Sequence, residues 1–175
     1  MGRDKALLEW KGATLVEWVA RQVQEAAGSA TLVGAPERYA RLGLACIGER
    51  YEGCGPLSGI EAALREGGAE LSLIVACDMP SLEVEVLKEL LRAAQRSRKQ
   101  VTAVRGPDGA PEPLCAVYHE SALRSVERAL KEGRYRARNL LEELSLECLA
   151  RAGAGIALNV NTPEEWEEIR RGAGA

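Results

Sequence analysis

Apolar residues recur along this chain in two rhythms, one with the period of a helix and one in short unbroken runs. Over Thr14–Gly28, Leu15, Val19, Val23 and Ala26 fall at helical spacing. Thr14 and Glu17 form a capping box at the start, and Gly28 is placed to stop the helix. "ATLVGA" then predicts a short buried strand, "PERYARLG" a short helix and "LACIG" another strand. "GPLSGIEAALREGG" predicts a helix opening at Ser58, with Glu61 completing a second capping box. "LSLIVACD" is a near-continuous apolar run, as expected of a parallel strand covered on both faces. "EVEVLKELLRAAQRS" predicts an amphipathic helix. "QVTAVRG" and "PLCAVYH" flank the turn chemistry of "PDGAPE", which predicts antiparallel strands. "SALRSVERALKEG" and "RNLLEELS" are helical in pattern, and "LECLARAG" fits either class. "NVNTPEEWEEIRR" predicts a final helix with Thr162 as N-cap, Pro163 at its first position and Glu165 at its third.

Helices alternating with short buried strands predict an α/β fold around a mostly parallel sheet, with helices on both faces. No repeat or interdomain linker interrupts the 175 residues, so the expectation is a single domain over 1–175. At 46% hydrophobic the chain can bury a core, and a net charge of −3 leaves no nucleic-acid footprint. No apolar run approaches the ~18 residues of a membrane span. The five cysteines are odd in number and form no Cys-x-x-Cys. Reduced thiols in a cytoplasmic protein are expected.

Composition also singles out residues. Of 26 acidic residues only Asp4, Asp78 and Asp108 are aspartates, and the asparagines are Asn139, Asn159 and Asn161. Asp and Asn are poor helix formers that favour caps, turns and sites. Asp78 ends the run "LSLIVACD" and is followed by Pro80, so it lies at a strand's carboxyl end, where open α/β sheets bind ligands. A carboxylate there serves either as a Mg²⁺ ligand or as a turn or cap residue. In "GCGPLSGI", Gly55 and Gly59 permit close backbone approach, and a helix N-terminus offers N–H groups to a phosphate; an ordinary turn has the same pattern. Asn159 and Asn161 fall on one side of an extended stretch, and their amides suit a polar heterocycle. Lys5, directly after Asp4, can place a mobile positive charge on phosphates or simply be solvated. His119, the single histidine, is expected at a strand end outside any catalytic arrangement, and Trp10, Trp18 and Trp166 are expected to pack on helices.

Taken in order, "MG-x-DKALL" (Met1–Leu8), "GPLSGI" (Gly55–Ile60), "CDMP" (Cys77–Pro80), "EPLCAVY" (Glu112–Tyr118) and "NVNTPEEW" (Asn159–Trp166) resemble the molybdenum cofactor guanylyltransferase family. That resemblance implies a Rossmann-like nucleotidyltransferase fold. It implies transfer of GMP from GTP to molybdopterin carrying molybdenum, releasing pyrophosphate, with Mg²⁺ as cofactor. On the matching positions, Lys5 is the GTP-phosphate lysine and Asp78 the magnesium aspartate. Gly2, Gly55, Pro56, Leu57 and Gly59 line the nucleotide site, and Asn159 and Asn161 lie on the pterin side. Implied partners are GTP, molybdenum-molybdopterin, and molybdoenzymes or cofactor-biosynthesis proteins, with no nucleic acid and no membrane.

This chain departs from the family pattern in three places. The family opens with a strand and a loop of the form L-A-G-G-x-S-x-R-M-G, of which only Met1-Gly2 stands here. The expectation is an N-terminally incomplete domain, short by roughly twenty residues, about one strand and one loop. Without that strand, "ATLVGA" and "LSLIVACD" should lose a shared neighbour. The family's nucleotide-contacting Asp before "GPL" is replaced by Glu49 or Glu52, between which the sequence does not choose. "EPL" also stands where Gln-Pro-Leu is common. Alternatives to the guanylyltransferase are a cytidylyltransferase or sugar-nucleotide pyrophosphorylase relative, and a non-catalytic binding module.

Overall fold

The computed structural model describes residues 4–149, 160 and 162–172. Of the expected site residues, Gly2, Asn159 and Asn161 lie outside them. The chain starts with a 3₁₀ turn, Lys5–Leu7, capped by Asp4, whose carboxylate accepts the Ala6 N–H at 3.1 Å. A two-stranded hairpin follows, β1 (Glu9–Trp10) and β2 (Ala13–Thr14). Its two-residue turn, Lys11-Gly12, has positive φ at both positions (48° and 78°), the geometry that matches strand twist and favours Gly at the second. Helix α1 (Leu15–Ala27) opens on the expected capping box: Glu17 accepts the Thr14 N–H at 2.8 Å, and the Glu17 N–H donates to Thr14 Oγ1 at 3.4 Å.

The rest alternates as the hydrophobic pattern predicts. In order come β3 (Thr31–Val33), α2 (Pro36–Tyr39), β4 (Ala45–Ile47), α3 (Pro56–Glu66), β5 (Leu71–Val75) and α4 (Val84–Arg96). Then follow β6 (Val101–Arg105), β7 (Pro111–His119), α5 (Leu123–Lys131), α6 (Ala137–Leu141), β8 (Leu146–Cys148) and α7 (Pro163–Gly172). The undecided segment "LECLARAG" supplies β8, which pairs parallel with β6. In α7 the expected cap is present: Thr162 donates its N–H to Glu165 at 3.0 Å and accepts Glu165's at 3.2 Å.

The second capping box is not formed, and β5, expected as a parallel strand, pairs antiparallel with β7. Helix α3 starts at Pro56, two residues before Ser58, because Pro at the first helical position needs no N–H partner and has φ preset for a helix. Gly55 is the cap, with φ 67° and ψ −159°, a conformation essentially confined to glycine. Ser58 is therefore inside the helix, its hydroxyl donating to the Gly55 carbonyl at 3.0 Å. Glu61 forms no capping box; it is fully buried and pairs with Arg65 Nε at 3.1 Å and with Arg50 at 3.6 Å.

The main sheet has the order β5-β7-β6-β8. β7 runs antiparallel to β5 and β6, while β8 is parallel to β6, so three of its four strands point the same way. β3 and β4 form a separate parallel pair. Among the described residues β3 pairs only with β4, and β5 only with β7. Among the described residues, the strands of "ATLVGA" and "LSLIVACD" share no pairing partner.

Helices cover both faces of the main sheet. On one, Leu15 and Val19 of α1 and Val86, Leu87 and Leu90 of α4 pack with Cys115 and Val117 of β7. On the other, Leu57 and Ile60 of α3 and Val126 and Leu130 of α5 pack with Ala116 and Tyr118. The alternation 115, 117 against 116, 118 is the two-residue period of a strand buried on both sides. Trp10 and Trp166 meet with ring centroids 5.4 Å apart, tying α7 to the N-terminal hairpin.

Candidate active site

Two of the three aspartates have structural work. Asp4 caps the first turn and also accepts the Tyr39 hydroxyl at 3.0 Å. Asp108 accepts the Ala110 N–H in the β6–β7 turn and pairs with Arg138 at 2.5 Å. Asp78 is different. Three residues beyond β5, it is half-buried, and its backbone carbonyl accepts the Val160 N–H at 3.0 Å. Burial pushes its carboxyl pKa up, and the nearby positive charge of Lys5 pulls in the opposite direction. The same surroundings act on Cys77, whose thiol is pushed up to about 11, first by burial, then by Asp78 and Asp4.

Lys5 and Asp78 are 73 positions apart in sequence, and the fold brings their charges together at the carboxyl end of β5. The first turn of α3 lies across the groove from Asp78. Pro56, Gly59 and Asp78 all line one groove of about 370 Å³ between β3 and β5. Glu49 reaches this turn: its Oε1 would stand 3.3 Å from a Cβ at Gly59, so glycine keeps that approach open. Glu52 is exposed in the loop before α3 and shows no such approach. Glu49 is thus the one of the two seen beside the first turn of α3. Leu57 is fully buried in the core with Ile60.

Val160 carries information that sequence reasoning missed. It is 1% exposed, and its N–H on Asp78 brings the stretch between Asn159 and Asn161 to the carboxyl end of β5. The signal in the sequence was the single apolar residue between two asparagines. His119 ends β7 and accepts the Ser121 N–H at 3.1 Å through Nδ1, as expected of a strand-end residue.

An α/β sheet that gathers a half-buried carboxylate, a lysine and a helix N-terminus at the carboxyl end of one strand is the frame of a nucleotide-handling enzyme. Residues 1–148 match the family model of the MobA-like NTP transferase domain, and the chain belongs to that family, as a nucleotidyltransferase. A probable molybdenum cofactor guanylyltransferase of Opitutus terrae is 32% identical over 98% of this chain and 89% of its own length. One from Nostoc is 32% identical over 97% of this chain and 84% of its own. The crystal structure of molybdopterin-guanine dinucleotide biosynthesis protein A from Archaeoglobus fulgidus superposes with a TM-score of 0.82 at 25% identity, covering 99% of this chain and 92% of that one. A 2-C-methyl-D-erythritol 4-phosphate cytidylyltransferase from Thermus thermophilus shares the fold, with a TM-score of 0.73 at 18% identity over 98% of this chain and 94% of that one. Among the described residues no helix is long and apolar enough to cross a membrane.

Proposed function

We propose that this chain is a molybdenum cofactor guanylyltransferase, moving GMP from GTP to the phosphate of molybdopterin and releasing pyrophosphate. The observation that carries the reading is Asp78 at the carboxyl end of β5, lining one groove with Pro56 and Gly59 of the first turn of α3. In the transfer an acceptor phosphate oxygen forms a bond to the α-phosphorus of GTP as the bond to pyrophosphate breaks. No covalent enzyme intermediate is required, so the protein acts by positioning and by balancing charge. Lys5 places a positive charge on the triphosphate. The first-turn N–H groups of α3 and the Glu49 carboxylate beside Gly59 hold the nucleoside end. Asn159 and Asn161, flanking Val160, are assigned to the pterin.

Asp78 is the residue to hold Mg²⁺. A nucleotide-bound magnesium takes one or two protein carboxylates, and Asp78 offers one at the strand end where phosphates would lie. The ion would supply neutralisation of charge on the phosphate oxygens.

Turnover measured with molybdopterin and either GTP or CTP tests the reading. GTP should be preferred, and a preference for CTP would overturn the nucleotide assignment. Calorimetric titration with Mg-GTP separates the enzyme from an inert binding module: micromolar binding supports the enzyme, and no binding refutes it.

A further inference from the structure

Two consecutive residues of the loop leading into α3 take hold of that helix from opposite sides. Glu49 reaches one side. Its Oε1 is 3.3 Å from where a Cβ would stand at Gly59, and Val33 of β3 is 3.9 Å from the same point. Gly59 and Val33 both line the groove, so this is the groove side of the helix. Arg50 reaches the other side, where its guanidinium is 3.6 Å from Glu61 and 4.0 Å from Glu127 of α5. With 3.6 residues per turn, positions two apart on a helix point nearly opposite ways. The chain therefore straddles the first two turns of α3 at residues 49 and 50.

The two holds differ in kind. Glu49 is exposed, and among the described residues its carboxylate makes no ion pair. The loop 48–55 has no helix or strand and contains Gly48, Gly53 and Gly55, so its own backbone restrains Glu49 weakly. Arg50 is tied to a fixed point. Glu61 is fully buried within α3, and its Oε1 already accepts Arg65 Nε at 3.1 Å from one turn further on. Among the described residues its Oε2 has no hydrogen-bond partner. Stability alone does not account for a carboxylate there, because a hydrocarbon of similar volume often serves a core as well as a buried ion pair. What a hydrocarbon cannot do is fix a cation from the loop. Next to Arg50, Tyr51 packs on the same core as Leu57 and Ile60 of α3.

We propose that Arg50 is a positioning residue for the nucleotide: the buried Glu61 carboxylate anchors it on the far side of α3, and this sets the place of Glu49 on the groove side. The inference rests on the guanylyltransferase reading, in which Glu49 holds the nucleoside end. Arg50 does not line the groove, so its effect passes through its chain neighbour. Consecutive Cα atoms are about 3.8 Å apart, so an anchor at residue 50 leaves residue 49 little freedom to drift. Glu127, at the longer distance and partly exposed, supports the anchor without carrying it.

The test measures kcat and KM for Mg-GTP, at saturating acceptor, in Arg50→Met, Arg50→Lys, Glu49→Gln and the double variant Arg50→Met/Glu49→Gln. Arg50 is half-exposed and Glu61 keeps Arg65, so Arg50→Met should melt within a few degrees of the parent. Arg50→Met should raise KM about fivefold or more and leave kcat within about twofold, because the lost interaction serves binding. Arg50→Lys keeps a cation for Glu61 and should hold KM within about twofold of the parent. In the Glu49→Gln background, Arg50→Met should add nothing further, the signature of two residues acting as one unit. If Glu49→Gln raises KM and Arg50→Met does not, the nucleotide reading stands and the positioning role is overturned. Increases that multiply in the double variant would overturn it too, since Arg50 would then act independently of Glu49. An unchanged KM in Glu49→Gln would refute the assignment of Glu49 to the nucleoside, and the proposal with it.

Discussion

Replacing Asp78 by Asn separates catalysis from folding, because the two should move in opposite directions. Asn keeps the shape and removes the charge. Burial raises the carboxyl pKa of Asp78 in the folded protein, only partly opposed by Lys5, so its ionised form destabilises the fold. Well below about pH 3.8, the ordinary aspartate value, the side chain is protonated both folded and unfolded, and it imposes no penalty. Above its raised folded value the carboxylate is ionised in both states and the penalty is complete. In metal-free buffer Asp78→Asn should therefore match the parent at low pH. It should gain stability as pH rises through the carboxylate range and hold that gain at neutrality. Turnover should fall. The transfer concentrates charge on phosphate oxygens in a site where Asp78 is the carboxylate proposed to hold Mg²⁺. Losing one preorganised electrostatic group of this kind lowers the rate about 10²–10³-fold, about 2.7–4 kcal/mol in the barrier. Pyrophosphate release with saturating Mg-GTP and acceptor measures the first effect, and urea unfolding at acid and neutral pH the second. Turnover within about twofold of the parent would refute the catalytic role. A loss of stability at neutral pH would show that Asp78 is a turn residue.

Arg65→Met leaves the fully buried Glu61 with only Arg50, at 3.6 Å and half-exposed, and should destabilise by about 3 kcal/mol in urea. Adding Glu61→Leu should return stability to within about 1 kcal/mol of the parent, and an undiminished loss in the double variant would refute the buried-charge explanation. Burial pushes the Cys115 thiol up to about 12, so a thiol reagent should label it in native protein only at the rate of global opening, against fast labelling in urea. Rapid native labelling of Cys115 would contradict its packing between the sheet and α4.

Much of the local structure was legible in the chain because it depends on neighbours a few residues apart. The Thr14–Glu17 and Thr162–Glu165 boxes could be read directly, since both partners lie within one turn. The α4 stripe of Val86, Leu87, Leu90, Ala93 and Ala94 follows from helical period alone. Where two local signals competed, the reading went astray. Ser58 and Glu61 have capping-box spacing, but Pro56 starts the helix earlier, and Arg50 and Arg65 draw the Glu61 carboxylate inward. The β1–β2 hairpin was missed because its strands are two residues long, too short for any period to show. "LECLARAG" could not be assigned because the conformation of Leu146–Cys148 is set by pairing with β6, more than forty positions away.

By itself, then, the sequence determined the alternation of helices and strands and the position of Asp78 at a strand's end. Only the tertiary structure decided that Lys5 and Asp78 act on one another, that Glu49 rather than Glu52 reaches α3, that Leu57 turns into the core and that Val160 anchors on Asp78. The physical reason is range. Caps and periodicity are fixed by backbone geometry over a few residues. Charge coupling, burial and edge pairing depend on which distant segments packing brings within a few ångströms.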